Sequence, residues 1–268
     1  MEKVKKRNPV IALVFSIISI GLGQIYNGQL VKGIIIFIGA VLLSLLNFAL
    51  VRISFLCLYA GIMIGIFYMV VAIIDSIRNA IKNTDYTLKR FNRWYVYLMF
   101  FLLSIISSNL ILSLNPYQSC RALGDSMLPN LEDGDRVLID QRYYDFKNSF
   151  PMRGDIVLFE TPSHEGALFL KRVVAVEGET LVINKSGIYI NDLPIMKNWL
   201  FYGEENGGLD LYGEGKWLVP DNSVFVLGDN LNRSLDSRFF GPIDIDNIKG
   251  KVLYIYWAKN KDRIGLRL

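Results

Sequence analysis

Apolar residues are divided unevenly along this chain of 268 residues, and the division restricts what it can fold into. Residues 10–114 are dominated by long hydrophobic runs, whereas residues 117–268 mix charges, glycines and short apolar stretches. A helix crosses a bilayer with roughly 20 apolar residues, because it rises about 1.5 Å per residue through a hydrocarbon core about 30 Å thick. The runs 34–51, 53–74 and 94–114 are long enough, and a fourth at 10–23 is short. The expected fold class is therefore a mainly β domain outside the cytoplasm, preceded by an α-helical transmembrane anchor.

The short run follows Lys3, Lys5, Lys6 and Arg7 and ends in Gly21 and Gly23, which imitates a secretory signal with a small-residue cleavage site. Charge favours another reading. The loop 76–93 carries Arg78, Lys82, Lys89, Arg90 and Arg93 against the single acid Asp85, so the loop and the N-terminus both belong in the cytoplasm. An even number of crossings must separate them. If 10–23 dips in and returns at GLGQIYNGQ (21–29) the count is two, and Gln24, Asn27 and Gln29 can partner the backbone exposed at the turn. The stretch GLGQIYNGQLVKG (21–33), followed by a run and then IIDSIRNA (73–80), resembles small membrane modules with a GxGQxYNG turn, and that resemblance implies no chemistry. The expected divisions are a membrane module at 1–93, a transmembrane helix and linker at 94–116, and a β-rich domain at 117–268. Since the run 94–114 starts inside, everything after it emerges outside. Eleven residues separate Asn115 from Ser126, which keeps Ser126 within roughly 40 Å of the bilayer.

The net charge of +4 is modest, and the basic residues cluster at the ends of apolar runs, where anionic lipid accounts for them and nucleic acid does not. Cys57 and Cys120 have the spacing of neither a disulfide framework nor a zinc site and read as packing residues. No cofactor and no metal is expected. Short stretches rich in branched and aromatic residues at 136–140, 155–160, 168–177, 180–183, 187–190, 224–228 and 251–257, punctuated by Gly, Asp, Asn and Pro, predict strands of a barrel-like domain. Residues 210–217 are ambiguous.

The chain has one histidine, His164, in the turn-like PSHEG (162–166), where an exposed loop residue is expected and a catalytic base is the competing reading. Without imidazole, a serine hydroxyl can be activated by a lysine, provided the amine is neutral. Bringing a lysine from its ordinary pKa of about 10.4 down to 7 or 8 takes roughly 4 kcal/mol against the ammonium form, and burial is the available means. In LFLKRVVAVEGE (168–179), Lys171 shares one strand face with Phe169, Val173 and Ala175, so it is either buried or on a solvated edge. Ser126 lies in GDSMLP (124–129). A third segment, GDNLNRSLDSRFFGPI (228–243), is dense in turn formers; Asp229, Asp236 and Arg238 can pair to stiffen it, and Ser234 can hydrogen-bond the Lys171 amine.

Taken together, GDSMLPNLEDGD (124–135), RGDIVLF (153–159), LKRVVAVEGE (170–179) and VFVLGDNLNRSLDSRFFGPI (224–243) resemble the ordered boxes of type I signal peptidases, membrane serine peptidases with a Ser/Lys dyad. The resemblance implies Ser126 as nucleophile, Lys171 as general base, Ser234 as the hydroxyl that orients the lysine, and Asp229, Asp236 and Arg238 as supports of the site. It implies removal of signal peptides from exported preproteins at the cell membrane, with signal peptides, the lipid bilayer and the export machinery as partners and no nucleic acid. Met127, Leu128, Leu168 and Leu170 are the expected substrate contacts. Three departures are visible: Gly124 stands where some relatives have a serine that donates to the oxyanion, Leu231 where many have arginine, and the anchor is longer than usual. A self-cleaving repressor also uses a Ser/Lys pair but needs a soluble DNA-binding module in place of the apolar runs. A membrane protein that only binds peptides, or that processes those of one dedicated secretion system, is the other alternative.

Overall fold

The computed structural model describes residues 6–83, 86–147, 150–160, 166–195 and 213–268, so Lys3, Lys5, Asp85, His164 and the first three residues of the ambiguous 210–217 lie outside the described residues, while 215–217 form part of a strand. The chain divides into two compact units, Met1–Asn115 and Pro116–Leu268.

In the first unit, α1 (Pro9–Ile18) starts at Asn8, whose side chain accepts the Val10 N–H at 2.8 Å. Ten residues rise only about 15 Å, half the thickness of a bilayer's apolar core. The chain then turns through Gly21 into the five-residue α2 (Leu22–Tyr26), every residue of which is buried. Gly21 has φ +92°, and a Cβ there would lie 2.3 Å from the Gly33 carbonyl oxygen, so only glycine permits this backbone approach. The start of α1 meets the end of α2, where the Asn8 N–H donates to Tyr26 Oη at 3.1 Å, and the Arg7 N–H donates to the carbonyl of Asn83, just beyond the helix Phe55–Lys82, at 3.5 Å.

Among the described residues three helices are long and apolar enough to cross a membrane: α3 (Leu30–Val51), α4 (Phe55–Lys82) and α5 (Trp94–Ser113). The hairpin of α1 and α2 is tied to α4 by side-chain amides, Gln24 Nε2 donating to the Ala72 carbonyl and Asn27 Nδ2 to the Ser76 carbonyl, both at 2.7 Å. Helix α4 runs past the apolar run that announced it, so Arg78 and Lys82 of the expected loop are helical. No Gly or Pro interrupts 76–82, and Asn79 Nδ2 bonds back to the Asp75 carbonyl at 2.8 Å.

The second unit is built on two antiparallel sheets. Its elements are β1 (Tyr117–Arg121), β2 (Arg136–Asp140), α6 (Tyr143–Lys147), β3 (Ile156–Glu160), β4 (Leu168–Val176), β5 (Thr180–Asn184), β6 (Gly187–Ile190), β7 (Leu193–Pro194), β8 (Gly215–Leu218), β9 (Ser223–Leu227), α7 (Ser237–Phe240), β10 (Ile243–Asp244) and β11 (Ile248–Trp257). Seven strands follow the order β1-β2-β11-β3-β4-β9-β10, and four follow β7-β6-β5-β8. Strand β3 is central and covered on both faces: Ile156 and Leu158 pack with Val137, Ile139, Val252 and Ile255, while Val157 and Phe159 pack with Val173, Val224 and Val226. Each such fully buried side chain contributes about 1.5–3 kcal/mol. Strands β1, β7 and β10 were not expected from the sequence. YQSCR in β1 has no run of branched residues, and its place comes from pairing with β2 at the sheet edge.

Candidate active site

Ser126 sits in the loop between β1 and β2, which backbone bonds close at its base, Ala122 N–H to the Asp135 carbonyl (2.8 Å) and Gly134 N–H to the Ala122 carbonyl (2.9 Å). Met127 and Leu131 plug the loop into the core formed with Val137 and Ile255. From the opposite side Asn230 holds two successive carbonyls, its N–H donating to Ser126 O and its Nδ2 to Asp125 O, both at 3.1 Å. Among the described residues nothing accepts the Ser126 N–H.

Lys171 lies on β4 opposite Val157 of β3 and is only 4% exposed. Its Nζ donates to Ser126 Oγ at 2.7 Å and to the Leu170 carbonyl at 3.1 Å. Burial pulls the amine's pKa down from 10.5 to about 8, against the pull of the Asp236 and Asp229 charges in the other direction. The next residue, Arg172, points to the other face of the strand, as alternation requires. It meets Asp229 in a bidentate pair (Nε–Oδ1 and Nη2–Oδ2, both 2.7 Å), and its Nη1 donates to the Gly154 carbonyl at 2.7 Å. Burial pushes the Asp229 carboxyl up, opposed by Arg172 and by Asn130, whose Nδ2 donates to Oδ2 at 2.9 Å.

Asp236 caps α7 and braces its loop: it accepts Arg238 Nε (2.8 Å) and the Gly228 N–H (3.1 Å), and Arg238 Nη2 donates to the carbonyls of Leu231 (2.7 Å) and Ser234 (3.2 Å). The expected contact of Ser234 with Lys171 is not made. Ser234 Oγ is buried without a hydrogen-bond partner, because the lysine's donors are directed to Ser126 and Leu170. Ser234 is nevertheless close: a Cβ on Gly228 would fall 2.2 Å from Ser234 Oγ and 2.4 Å from Ser126 O. The three supports also divide differently from expectation. Asp236 pairs with Arg238, and Asp229 pairs with Arg172.

A buried lysine bonded to a serine hydroxyl beside these loops accords with the family comparison, in which residues 91–257 match the signal peptidase, peptidase S26, family. The chain belongs to that family. It is 35% identical over 145 residues to a signal peptidase I of Leptolyngbya laminosa, covering 51% of this chain and 67% of that protein. It is 33% identical over 146 residues to thylakoidal processing peptidase 1, chloroplastic, of Arabidopsis thaliana, covering 51% of this chain and 41% of that one. A solved structure, a signal peptidase I from Enterococcus faecalis V583, is 29% identical, covers 38% of this chain and 97% of that chain, and superposes with a TM-score of 0.34. This S26 peptidase is thus a membrane serine peptidase whose substrates are preproteins carrying signal peptides.

In the peptidase, Ser126 and Lys171 open onto a cleft of about 370 Å³ whose walls include Met127, Leu168 and Leu170. Leu128 is half-buried and is not part of that wall, since the turn after Ser126 directs it elsewhere. Phe169, Leu158 and Leu235 line the cleft and were missed from the sequence, where nothing distinguishes them from core residues. Arg172 and Asn230 were missed too; their partners lie 57 and 105 residues away and are set by the β4–β9 pairing and the Ser126 loop. Leu231, the departure in the last box, is 2% exposed and packed in the core between the two sheets. Cys120 lines the cleft, and burial raises its thiol pKa, which disfavours the thiolate form. Among the described residues no group of three His, Cys, Asp or Glu side chains is placed to hold a metal.

Proposed function

We propose that the peptidase removes signal peptides with Ser126 as nucleophile and Lys171 as its general base, and the observation that carries this is the 2.7 Å contact between a buried amine and the serine hydroxyl. As Ser126 Oγ adds to the scissile carbonyl, neutral Lys171 takes its proton and the carbonyl electron pair moves to oxygen. The Ser126 N–H faces that oxyanion. Collapse breaks the C–N bond, and Lys171 returns the proton to the leaving amine. The regenerated neutral amine then deprotonates a water, which hydrolyses the acyl ester and restores Ser126. Ser234, Asp229, Asp236 and Arg238 act by holding the walls of the site.

Substrate is held by strand addition. Strand β9 ends with Leu227 opposite Arg172, while β4 continues back to Leu168, so one edge of 168–171 carries no strand among the described residues. A preprotein segment extended along that edge gains main-chain bonds and presents alternate side chains to Met127, Leu168 and Leu170. The membrane reading is that α1 and α2 re-enter from the cytoplasmic side, α3 and α4 cross, and α5 delivers the catalytic domain outside the cytoplasmic membrane. The divisions 1–93, 94–116 and 117–268 and a docking role toward the export machinery belong to the same proposal. A protein that only binds peptides has no use for a dehydrated amine against a hydroxyl, so the catalytic reading is preferred.

The test is cleavage of a signal-peptide-bearing preprotein by the full-length, detergent-solubilised protein, with the product N-terminus sequenced. With the base titrating at about 8, its neutral fraction and hence the rate rise roughly tenfold from pH 7 to pH 9 when chemistry limits turnover. A rate flat from pH 6 to pH 9 under those conditions excludes Lys171 as the base. His164→Ala should leave the profile unchanged.

A further inference from the structure

The chain beyond β11 lies outside residues 91–257 that match the family, yet it grips the loop that carries Ser126. A single turn, Lys261–Arg263, is capped by Asn260, whose Oδ1 accepts the Asp262 N–H at 3.1 Å. The turn directs Arg263 back toward residues 129–135. Its Nη1 donates to the Pro129 carbonyl at 3.1 Å and lies 3.2 Å from Glu132 Oε1. Its Nη2 donates to the Asn130 carbonyl at 2.9 Å, and both Nη2 and Nε reach Asp135 Oδ2, at 2.8 and 3.1 Å. The side chain is 12% exposed. The segment is fixed in turn, because Gly265 N–H donates to the Ile255 carbonyl at 2.8 Å and Leu268 N–H to the Leu253 carbonyl at 3.2 Å. Ile264 and Leu268 also pack on the core that holds Met127 and Leu131.

One planar guanidinium thus spans two main-chain carbonyls three and four residues after Ser126 and the carboxylate at the loop's far end. An ammonium cannot copy this, being a point charge without the rigid fork. Asn130, whose carbonyl it takes, passes the restraint on to Asp229 through its own side chain. We propose that Arg263 is a positioning residue for the reaction, and that the C-terminal segment sets the alignment of the Ser126 hydroxyl with the Lys171 amine. This rests on the assignment of Ser126 as nucleophile.

The experiment compares full-length, detergent-solubilised wild type, Ser126→Ala, Arg263→Ala and Arg263→Lys on one preprotein. Misalignment of a reacting group by about 1 Å costs up to about 100-fold, so Arg263→Ala is expected to lower kcat by roughly 10- to 100-fold with KM changed less than about threefold and the pH midpoint kept. Guanidinium ion at low millimolar concentration should restore part of that loss in Arg263→Ala and nothing in Ser126→Ala. A kcat within twofold of wild type overturns the proposal, as does a loss that guanidinium leaves untouched and that follows a fall in thermal midpoint. If Arg263→Ala does not fold, Arg263→Lys decides: a roughly tenfold lower kcat at constant KM supports positioning, and wild-type kcat refutes it. Full activity in Ser126→Ala would instead remove the nucleophile assignment.

Discussion

Ser126→Ala and Lys171→Met are each expected to lower preprotein cleavage by roughly 10,000-fold or more, and to part company in stability. Removing the hydroxyl deletes one small group in a half-buried position, and Lys171 keeps the Leu170 carbonyl as an acceptor, so the fold of Ser126→Ala should hardly respond. Lys171→Met removes an amine that the fold desolvates. The folded pKa of about 8 lies below the unfolded value of 10.5, so between those limits the unfolded chain binds more protons and wild-type stability rises with pH. Below pH 8 the penalty is present in full, about 3 kcal/mol, and above 10.5 it is gone. The methionine variant escapes it and should be more stable than wild type at pH 7, with the gap closing toward pH 10.5. Unfolding of both proteins in the same detergent at pH 7 and pH 10 measures this, and a constant gap would show that the amine is not desolvated in the folded state.

Asp229→Ala should be the most damaging single change to stability within the site. Arg172 and Asp229 have side chains 6% and 0% exposed, and removing one member of a buried pair costs about 3–5 kcal/mol because the other charge is left uncompensated. Arg172 would retain the Gly154 carbonyl, and Asn130 would lose its acceptor. Replacing both members with apolar residues of similar size, Arg172→Met with Asp229→Leu, is expected to recover most of the loss. Denaturant unfolding of the two variants beside wild type provides the check. A change under about 1 kcal/mol in Asp229→Ala would mean that solvent reaches the pair.

Much of this was legible in the residues. The three spans follow from the length of the apolar runs, and most strands of the catalytic domain from branched residues between turn formers. Ser126 and Lys171 could be singled out because a chain with one histidine has few ways to activate a hydroxyl, and the structure brings these two within hydrogen-bond distance. What escaped depends on long-range pairing. The partner of Arg172 is chosen by where β9 ends, the edge position of β1 by β2, and the free Ser234 hydroxyl by how the lysine shares its donors. Helix α4 exceeded its apolar run because helical hydrogen bonds do not stop where the apolar residues do.

Strand β4 sets two cations on consecutive positions and sends them opposite ways, one to a carboxylate and one to an alcohol. Sliding that ribbon by a single residue would turn each to the opposite face: in one direction a permanently protonated group lands beside the serine, and in the other an ammonium lands where a fork is wanted. The enzyme's arithmetic therefore has no tolerance for an insertion or deletion in this strand, even one that left every apolar side chain a home. Frame, rather than composition, decides whether this stretch is a catalyst or merely a sheet.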